Sequence, residues 1–200
     1  MINNIIQEEI ILEDERVLLR PLLATDLEQL LPFAVNEADL WKYSLISPAG
    51  EDGMKNYITT AVQNKTAGIE YPFIVFDKQT NSYAGSTRFY DIQQNNLCTQ
   101  LGYTWYGKAF QRTGLNRHCK LRLLSFAFEE WKLERVEFRA DANNQPSINA
   151  MKAIGCIEEG ILRSNMTIEA GGRRNSIVLS ILKEEWFGGV KEKLMNSIYL

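Results

Sequence analysis

The stretch Tyr103-Thr-Trp-Tyr106, followed shortly by Gln111-Arg-Thr-Gly-Leu-Asn116, decides how this sequence is interpreted. Aromatic and β-branched residues predict a strand that ends at Tyr106. Apolar residues then recur at intervals of three and four from Leu115 to Trp131, which predicts the longest helix of the chain. The start of a helix carries unpaired amides and a partial positive charge, so a glycine-containing loop there favours a phosphate site. An ordinary turn has the same features, and the loop matches neither the Walker nor the Rossmann pattern.

Working outward from this stretch, strands and helices alternate, with hairpins between some of them, and no repeat or linker interrupts them. The predicted strands cover Arg16–Pro21, Tyr71–Phe76, Tyr83–Tyr90, Leu101–Tyr106, Arg135–Ala140, about Glu158–Thr167 and Ser176–Leu182. The first predicted helix begins at the capping-box spacing Thr25-Asp-Leu-Glu28. Four more helices are predicted over about Asp52–Asn64, Leu115–Trp131, Asn144–Ala153 and the amphipathic segment Val190–Leu200. This order predicts an α/β or α+β fold around a mixed sheet. We expect one domain over residues 1–200, with a core at about 16–186 and a C-terminal amphipathic extension at 188–200, which packs on the domain or on a second subunit.

Composition excludes several classes of protein. The 200 residues include 22 Lys and Arg against 25 Asp and Glu, and 45% are hydrophobic, which is typical of a globular domain rather than a disordered chain. The mild acidity argues against nucleic-acid binding, and no apolar stretch is long enough to span a membrane. The acidic segment Met1–Glu15 is unlike a secretory signal. Three unpaired cysteines and a single histidine predict no disulfide framework, no metal and a cytoplasmic location.

Four motifs in order resemble those of the GNAT N-acetyltransferase superfamily. Gln111-x-x-Gly114-x-Asn116 is similar to its acetyl-coenzyme A signature, [Gln/Arg]-x-x-Gly-x-[Gly/Ala]. The segment from Asn144 through Ser147 to Gly155 is similar to its N-x-x-S-x-x-x-x-x-K-x-G-F pattern. Arg16-Val-Leu-Leu-Arg-Pro-Leu resembles its opening strand. Ser176–Trp186 resembles the closing strand of the branch that acetylates ribosomal-protein N-termini and related amines.

The resemblance implies a mixed, largely antiparallel sheet flanked by helices and an acetyltransferase that takes its acetyl group from acetyl-CoA. Backbone groups of the strand would pair with the pantetheine arm, amides of the loop would hold the pyrophosphate, the Asn144 side chain would bond the arm, and Ser147 would lie beside the sulfur. The implied cofactor-binding residues are Thr104, Trp105, Tyr106, Gln111, Arg112, Thr113, Gly114, Leu115, Asn116, Asn144 and Ser147. Ser147 is also the candidate catalytic residue, as a donor to the departing thiolate, although a first-turn serine often bonds only local backbone.

The sequence departs from the family pattern at four positions. Asn116 stands in place of the last Gly or Ala of the signature, and Cys156 stands in place of Phe, as a core residue. Some relatives use a Glu on the strand before the asparagine and a Tyr on the following helix as base and acid. Arg139 and Met151 occupy those positions here, so that acid–base pair cannot be carried over.

The acceptor is expected to be a primary amine of a small molecule, a peptide or a protein N-terminus. An α-amino group loses its proton near pH 7.7–8.0, far more easily than lysine, so a water relay could replace a dedicated base. A backbone N–H near Trp105 or Tyr106 would stabilise the oxyanion. We expect His118 to be packed or close to phosphate rather than a base, and Cys119 to be a core residue.

Several aromatic residues either line an acceptor groove or belong to the core: Trp41, Tyr43, Tyr57, Tyr71, Tyr90 and Trp105. Glu37 and Asp39 either attract a cationic amine or form a solvated helix end. Two alternatives to the enzyme remain open: a non-catalytic protein of the same fold that binds CoA or acyl-CoA, and an interaction domain whose loop binds nothing. Sequence also leaves open a monomer or a homodimer.

Overall fold

The computed structural model describes residues 8–168 and 171–199, and its framework is a single eight-stranded sheet. The strands are β1 (Leu12–Glu13), β2 (Val17–Pro21), β3 (Tyr71–Asp77), β4 (Ser82–Gln93), β5 (Cys98–Tyr106), β6 (Arg135–Asp141), β7 (Ile157–Thr167) and β8 (Arg173–Leu182). Their order across the sheet is β1-β2-β3-β4-β5-β6-β8-β7. The fold is therefore a mixed α/β structure with a largely antiparallel sheet, as predicted.

One junction in this sheet differs from all the others. Every neighbouring pair is antiparallel except β5 and β6, which run parallel. These two strands pair only from Cys98↔Arg135 to Gln100↔Glu137. Beyond Gln100 and Glu137 each strand continues, but only its other edge is paired. The sheet therefore opens between the second halves of β5 and β6.

Helices cover both faces of the sheet. They are α1 (Leu27–Asn36), α2 (Gly50–Thr66), α3 (Leu115–Ser125), α4 (Gln145–Ala153) and α5 (Lys191–Tyr199). Alternate side chains of a strand face opposite sides, which produces two apolar clusters. The smaller one packs α1 and α2 around Ile74 and Trp105. The larger one packs α3, α4 and α5 on the other face, around Phe89, Leu121 and Trp186. Over the described residues, no helix is both long enough and apolar enough to cross a membrane.

The structure corrects two local predictions. The helix predicted over Leu115–Trp131 is α-helical only to Ser125 and ends in a π-helical turn over Phe126–Glu130, where the Trp131 N–H bonds the Phe126 carbonyl at 2.9 Å. It is therefore not the longest helix, contrary to the prediction, because α2 has 17 residues. The predicted capping box at Thr25 is replaced by a 3₁₀ turn over Ala24–Asp26. There the Asp26 carboxylate accepts the Leu23 N–H at 2.8 Å and also pairs with the Arg20 guanidinium at 2.6 Å.

The C-terminal extension packs on its own domain. Leu194 of α5 is buried in the larger cluster. Arg117 of α3 donates to the carbonyl of Ser197 at 2.9 Å, and the Tyr199 ring lies edge-on to the ring of His118. The last residue of the predicted helix, Leu200, and the first seven residues of the predicted domain lie outside the described residues.

Candidate active site

The opening between β5 and β6 exposes backbone groups that normally pair in a sheet. The Gly107 N–H bonds the Ala84 carbonyl of β4 at 2.9 Å. Because hydrogen-bonded residues alternate along an antiparallel pair, the Trp105 amide also points to β4, whereas the Tyr106 amide points away from it, toward the opening. A β-bulge at Tyr103, whose φ is +49°, shifts the register between Ser86 and Arg88 and bends β5 here.

The predicted phosphate loop connects the end of β5 to the start of α3. Gly114 is the N-cap residue of α3 and has a φ of +91°, a conformation that favours glycine. A Cβ built there would meet nothing within 4 Å, so the helix N-terminus faces open space. The Arg112 and Thr113 side chains are exposed, and the Leu115 side chain is buried beneath the loop. The amides of Gln111 and Arg117 already bond the carbonyls of Lys108 and Gly114, and the Leu115 amide lies 3.5 Å from the Thr113 hydroxyl. Within the described residues, the amides of Arg112, Thr113, Gly114 and Asn116 are unpaired and available to an anion.

Two side chains tie this loop to β5. The Gln111 Nε2 donates to the Tyr106 carbonyl at 2.9 Å. The Asn116 Oδ1 accepts a hydrogen bond from the Tyr106 hydroxyl at 3.2 Å. The extra bulk of Asn116, compared with the Gly or Ala of the signature, therefore turns toward β5 and leaves the loop unobstructed.

Asn144 and Ser147 lie together where α4 begins, just after the end of β6. The Asn144 Oδ1 caps the helix by accepting the Ser147 N–H at 3.2 Å. Within residues 8–168 and 171–199, the Asn144 amide nitrogen and the Ser147 hydroxyl have no hydrogen-bond partner. Asn144 can therefore cap α4 and still donate to a ligand, and the Ser147 hydroxyl is not used by local backbone.

Positions 139 and 151, where some relatives have a Glu base and a Tyr acid, hold Arg and Met in this chain. Met151 is buried in the larger apolar cluster, as is Cys156, which is the core residue that we expected. Arg139 donates to the Glu137 carboxylate at 2.6 Å on the opposite face of the sheet. Cys119 is also a fully buried core residue.

Lys120 belongs to none of the motifs in the sequence, yet it lies at the opening. It is only 4% exposed, and its Nζ donates to the Thr104 hydroxyl of β5 at 3.0 Å. Burial lowers its pKa to about 8. The missed signal was its spacing, because Lys120 shares a helical stripe with the buried Leu124 and Ala127.

On the other face of the sheet from Lys120, the side that α2 covers, aromatic and arginine side chains lie beside the opening. Arg88 is buried, pairs with Glu70 at 2.6 Å, and lies over the rings of Tyr57 and Tyr103, 4.5 and 4.2 Å from their centroids. The Tyr90 and Tyr103 rings lie edge to face at 5.1 Å. Burial raises the pKa of both tyrosines, so their hydroxyls remain neutral donors at physiological pH.

The other aromatic candidates divide between core and groove. The side chains of Trp41, Tyr57, Tyr71 and Trp105 are buried in the apolar clusters, whereas those of Tyr43 and Tyr90 are half-buried.

The two carboxylates considered for amine attraction instead contact the loop after β5. The Glu37 Oε2 accepts the backbone N–H of Lys108 at 2.7 Å. The exposed Asp39 carboxylate lies 3.8 Å from the Lys108 Nζ. Glu37, at the end of α1, therefore ties α1 to the start of the predicted phosphate loop, whereas the solvent-exposed Asp39–Lys108 pair adds little.

His118 is packed, as expected. Its Nδ1 lies 2.9 Å from Asp14 Oδ2 and 3.7 Å from Glu15 Oε1. These three side chains are close enough to share a cation, but the Asp14 Oδ1 also accepts the backbone amides of Arg16 and Val17 at 2.8 Å. The group therefore holds the β1–β2 turn against α3.

Comparison with known proteins identifies the class of this fold and site. The sequence profile of the acetyltransferase (GNAT) domain matches residues 16–157. The chain belongs to the GNAT acetyltransferase family, and it is an N-acetyltransferase.

Individual relatives agree with this assignment. The chain is 28% identical to the "Putative ribosomal N-acetyltransferase YdaF" of Bacillus subtilis over 88% of its own length and 96% of that protein. The crystal structure of a "putative acetyltransferase" from T. thermophilus is 27% identical, with a TM-score of 0.84 over 94% of this chain and 97% of that one. The ribosomal-protein-S5-alanine acetyltransferase of Vibrio fischeri, 19% identical, shares the fold, with a TM-score of 0.72 over 89% and 99% of the two chains.

Proposed function

We propose that this protein transfers an acetyl group from acetyl-CoA to a primary amine, and that residues 1–200 form a single N-acetyltransferase domain with its core at about 16–186. The observation that carries the proposal is the opening between β5 and β6, which adjoins the open N-terminus of α3 at Gly114. A pyrophosphate at that N-terminus would leave the pantetheine arm directed into the opening. The arm would bond Tyr106 and the neighbouring backbone of Thr104 as an added strand, with Trp105 between them facing β4.

The remaining site residues follow from the same placement. The unpaired amides between Gln111 and Asn116 would hold the pyrophosphate, and Arg112 would add positive charge. The free amide nitrogen of Asn144 would donate to a carbonyl of the arm. The Ser147 hydroxyl would donate to the sulfur, and a backbone N–H of β5 that the arm leaves unpaired would stabilise the oxyanion.

Two observations support the class of acceptor: the residue at position 139 and the name of a relative. No Glu base stands at position 139, so the best acceptor is an amine that is partly neutral at physiological pH. An α-amino group meets this condition and a lysine side chain does not. The name of the Bacillus subtilis relative describes a ribosomal N-acetyltransferase, and we propose a protein or peptide N-terminus, or a small α-amine, as the acceptor. Attack is direct, with the proton leaving through water.

The setting of the enzyme is part of the same proposal. Cys98, Cys119 and Cys156 are free thiols, which suits a reducing cytoplasm. The proposed reaction requires no metal, nucleic acid or membrane, and the enzyme acts as a monomer or a homodimer.

The experiment that tests the proposal is thermal unfolding with and without acetyl-CoA. At 100 times Kd the ligand should stabilise the protein by roughly 2.7 kcal/mol. That energy corresponds to a rise in Tm of about 5–10 °C for a chain of this size. Thiol release with a panel of peptides and small amines then tests turnover. No shift at millimolar acetyl-CoA would refute the proposal. A shift without CoA release for any amine would instead support a non-catalytic CoA-binding protein.

A further inference from the structure

Lys120 occupies the place where the two diverging strands face each other. Its Nζ lies 3.0 Å from the Thr104 hydroxyl, on the β5 side of the opening, and 5.7 Å from the ring centroid of Phe138, on the β6 side. The Thr104 hydroxyl is itself only 2.7 Å from that of Thr87. The ammonium group is thus held between the two edges that leave backbone groups unpaired.

This ammonium group has no anionic partner within the described residues. The titratable groups that face it are the thiols of Cys119, on the same helix, and of Cys156, just after α4. Burial raises the pKa of both thiols to about 12, so they are neutral at physiological pH. An unpaired buried charge is costly. A site that retains one therefore fits a ligand that brings or develops negative charge there.

The reaction proposed above develops negative charge at the sulfur. This inference rests on that proposed function, because it assumes that the pantetheine arm enters the opening. We propose that Lys120 is the catalytic residue that stabilises the departing CoA thiolate and protonates it.

The step balances as follows. The lone pair of the acceptor nitrogen forms the C–N bond, and the C–S bond breaks with its electron pair on sulfur. The Lys120 ammonium transfers one proton to sulfur, which gives CoA thiol and a neutral lysine. The acceptor nitrogen releases one proton to water, and Lys120 regains one from water.

Chemistry favours Lys120 over the other donors near the opening. Met151, in the place of the acid of some relatives, has no proton to give. The Ser147 hydroxyl can donate a hydrogen bond, but it is far too weak an acid to complete the transfer at neutral pH. A lysine with a pKa of about 8 is well matched to a thiol, whose reference pKa is about 8.5.

The test compares Lys120→Met and Lys120→Arg with the wild type and with Lys193→Met, a control on the exposed surface of α5. We expect Lys120→Met to lower kcat about 10²–10³-fold while the rise in Tm caused by acetyl-CoA is retained. The wild-type kcat should fall as the pH rises through about 8, and this descending limb should be absent from Lys120→Met. Arginine keeps the charge but holds its proton, so Lys120→Arg should recover part of kcat without the descending limb.

Lys120→Gln is the variant that separates chemistry from structure, since its amide can still donate to Thr104. Recovery of the wild-type kcat in Lys120→Gln, or unchanged kcat and pH profile in Lys120→Met, would overturn the proposal. If both Lys120→Gln and Lys120→Met lost the rise in Tm caused by acetyl-CoA, the proposal would also be overturned, because Lys120 would then act in cofactor binding. Failure of the underlying function is distinct, because the wild type itself would then neither bind acetyl-CoA nor release thiol.

Discussion

The side-chain amide of Gln111 donates to the backbone carbonyl of Tyr106 at 2.9 Å, so the loop before α3 is fastened to the last residue of β5. The bond fixes the distance between the two parts of the proposed cofactor site. One part is the helix N-terminus that would receive phosphate, and the other is the strand edge that would pair with the pantetheine arm.

Replacing Gln111 with leucine should therefore weaken cofactor binding more than catalysis. A neutral hydrogen bond contributes about 0.5–1.5 kcal/mol, so we expect KM for acetyl-CoA to rise about 2–10-fold with little change in kcat. Steady-state kinetics at a saturating amine concentration measure this. Gln63→Leu, at an exposed position of α2, is the control. An unchanged KM in Gln111→Leu would show that the loop holds its position without this bond.

Gly114→Val should abolish the rise in Tm that acetyl-CoA causes. The φ of +91° is unfavourable for valine, and the added side chain would occupy the open space in front of α3. Gly171→Val is a closely matched control, since Gly171 has a φ of +90° and an equally open environment at the β7–β8 turn. Both variants should lose stability, but only Gly114→Val should lose the response to acetyl-CoA. An equal response in the two variants would contradict a phosphate site at Gly114.

Asn144 should have two separable roles. Asn144→Ala removes the cap oxygen of α4, which costs about 1 kcal/mol and lowers Tm by about 2–4 °C. Asn144→Asp keeps a cap oxygen but replaces the amide donor with a negatively charged carboxylate, which suits a helix N-terminus. Its Tm should therefore stay at or above that of the wild type, while KM for acetyl-CoA rises. Thermal unfolding and kinetics on both variants check this. A normal KM in Asn144→Asp would leave Asn144 with its capping role alone.

Lys120→Met should increase the stability of the ligand-free protein, because it removes a buried charge that has no anionic partner among the described residues. The pKa of Lys120 is about 8 in the folded protein and about 10.4 unfolded, so between these values the unfolded chain binds more protons. Stability from this group therefore rises with pH across that window. The Tm advantage of Lys120→Met should be a few degrees at pH 7 and should shrink between about pH 8 and 10. A lower Tm than the wild type at pH 7 would contradict an unpaired charge.

Local sequence patterns predicted most of the fold and the positions of the loop and helix at Gln111–Asn116. The opening between β5 and β6 could not be predicted in this way. It depends on where pairing stops between Gln100 and Glu137, and that register is set by contacts between residues far apart in the chain. The hydrogen bond between Glu37 and the backbone of Lys108 could not be predicted for the same reason, because the two residues are 71 positions apart.

Lys120 was missed for a different reason. A single lysine in a helix is normally solvated, and its spacing with Leu124 and Ala127 is a weak signal against that expectation until the structure places its Nζ between Thr104 and Phe138. The π-helical turn after Ser125 was missed because its residues continue the apolar pattern of the α-helix. That pattern does not show whether each backbone N–H bonds the carbonyl four residues earlier, as in an α-helix, or five residues earlier, as in a π-helix.

The three-residue parallel junction of β5 and β6 has a mechanical consequence. Paired strands lie about 4.8 Å apart, and the gap between β5 and β6 widens from that value along the strands. The depth to which a group can enter the gap therefore depends on its width. A flexible chain one strand thick can slide toward the narrow end, whereas a bulkier group must stop where the walls are still far apart. The length and branching of the acyl group would then set how deeply the thioester enters, and so whether its sulfur reaches the Lys120 ammonium.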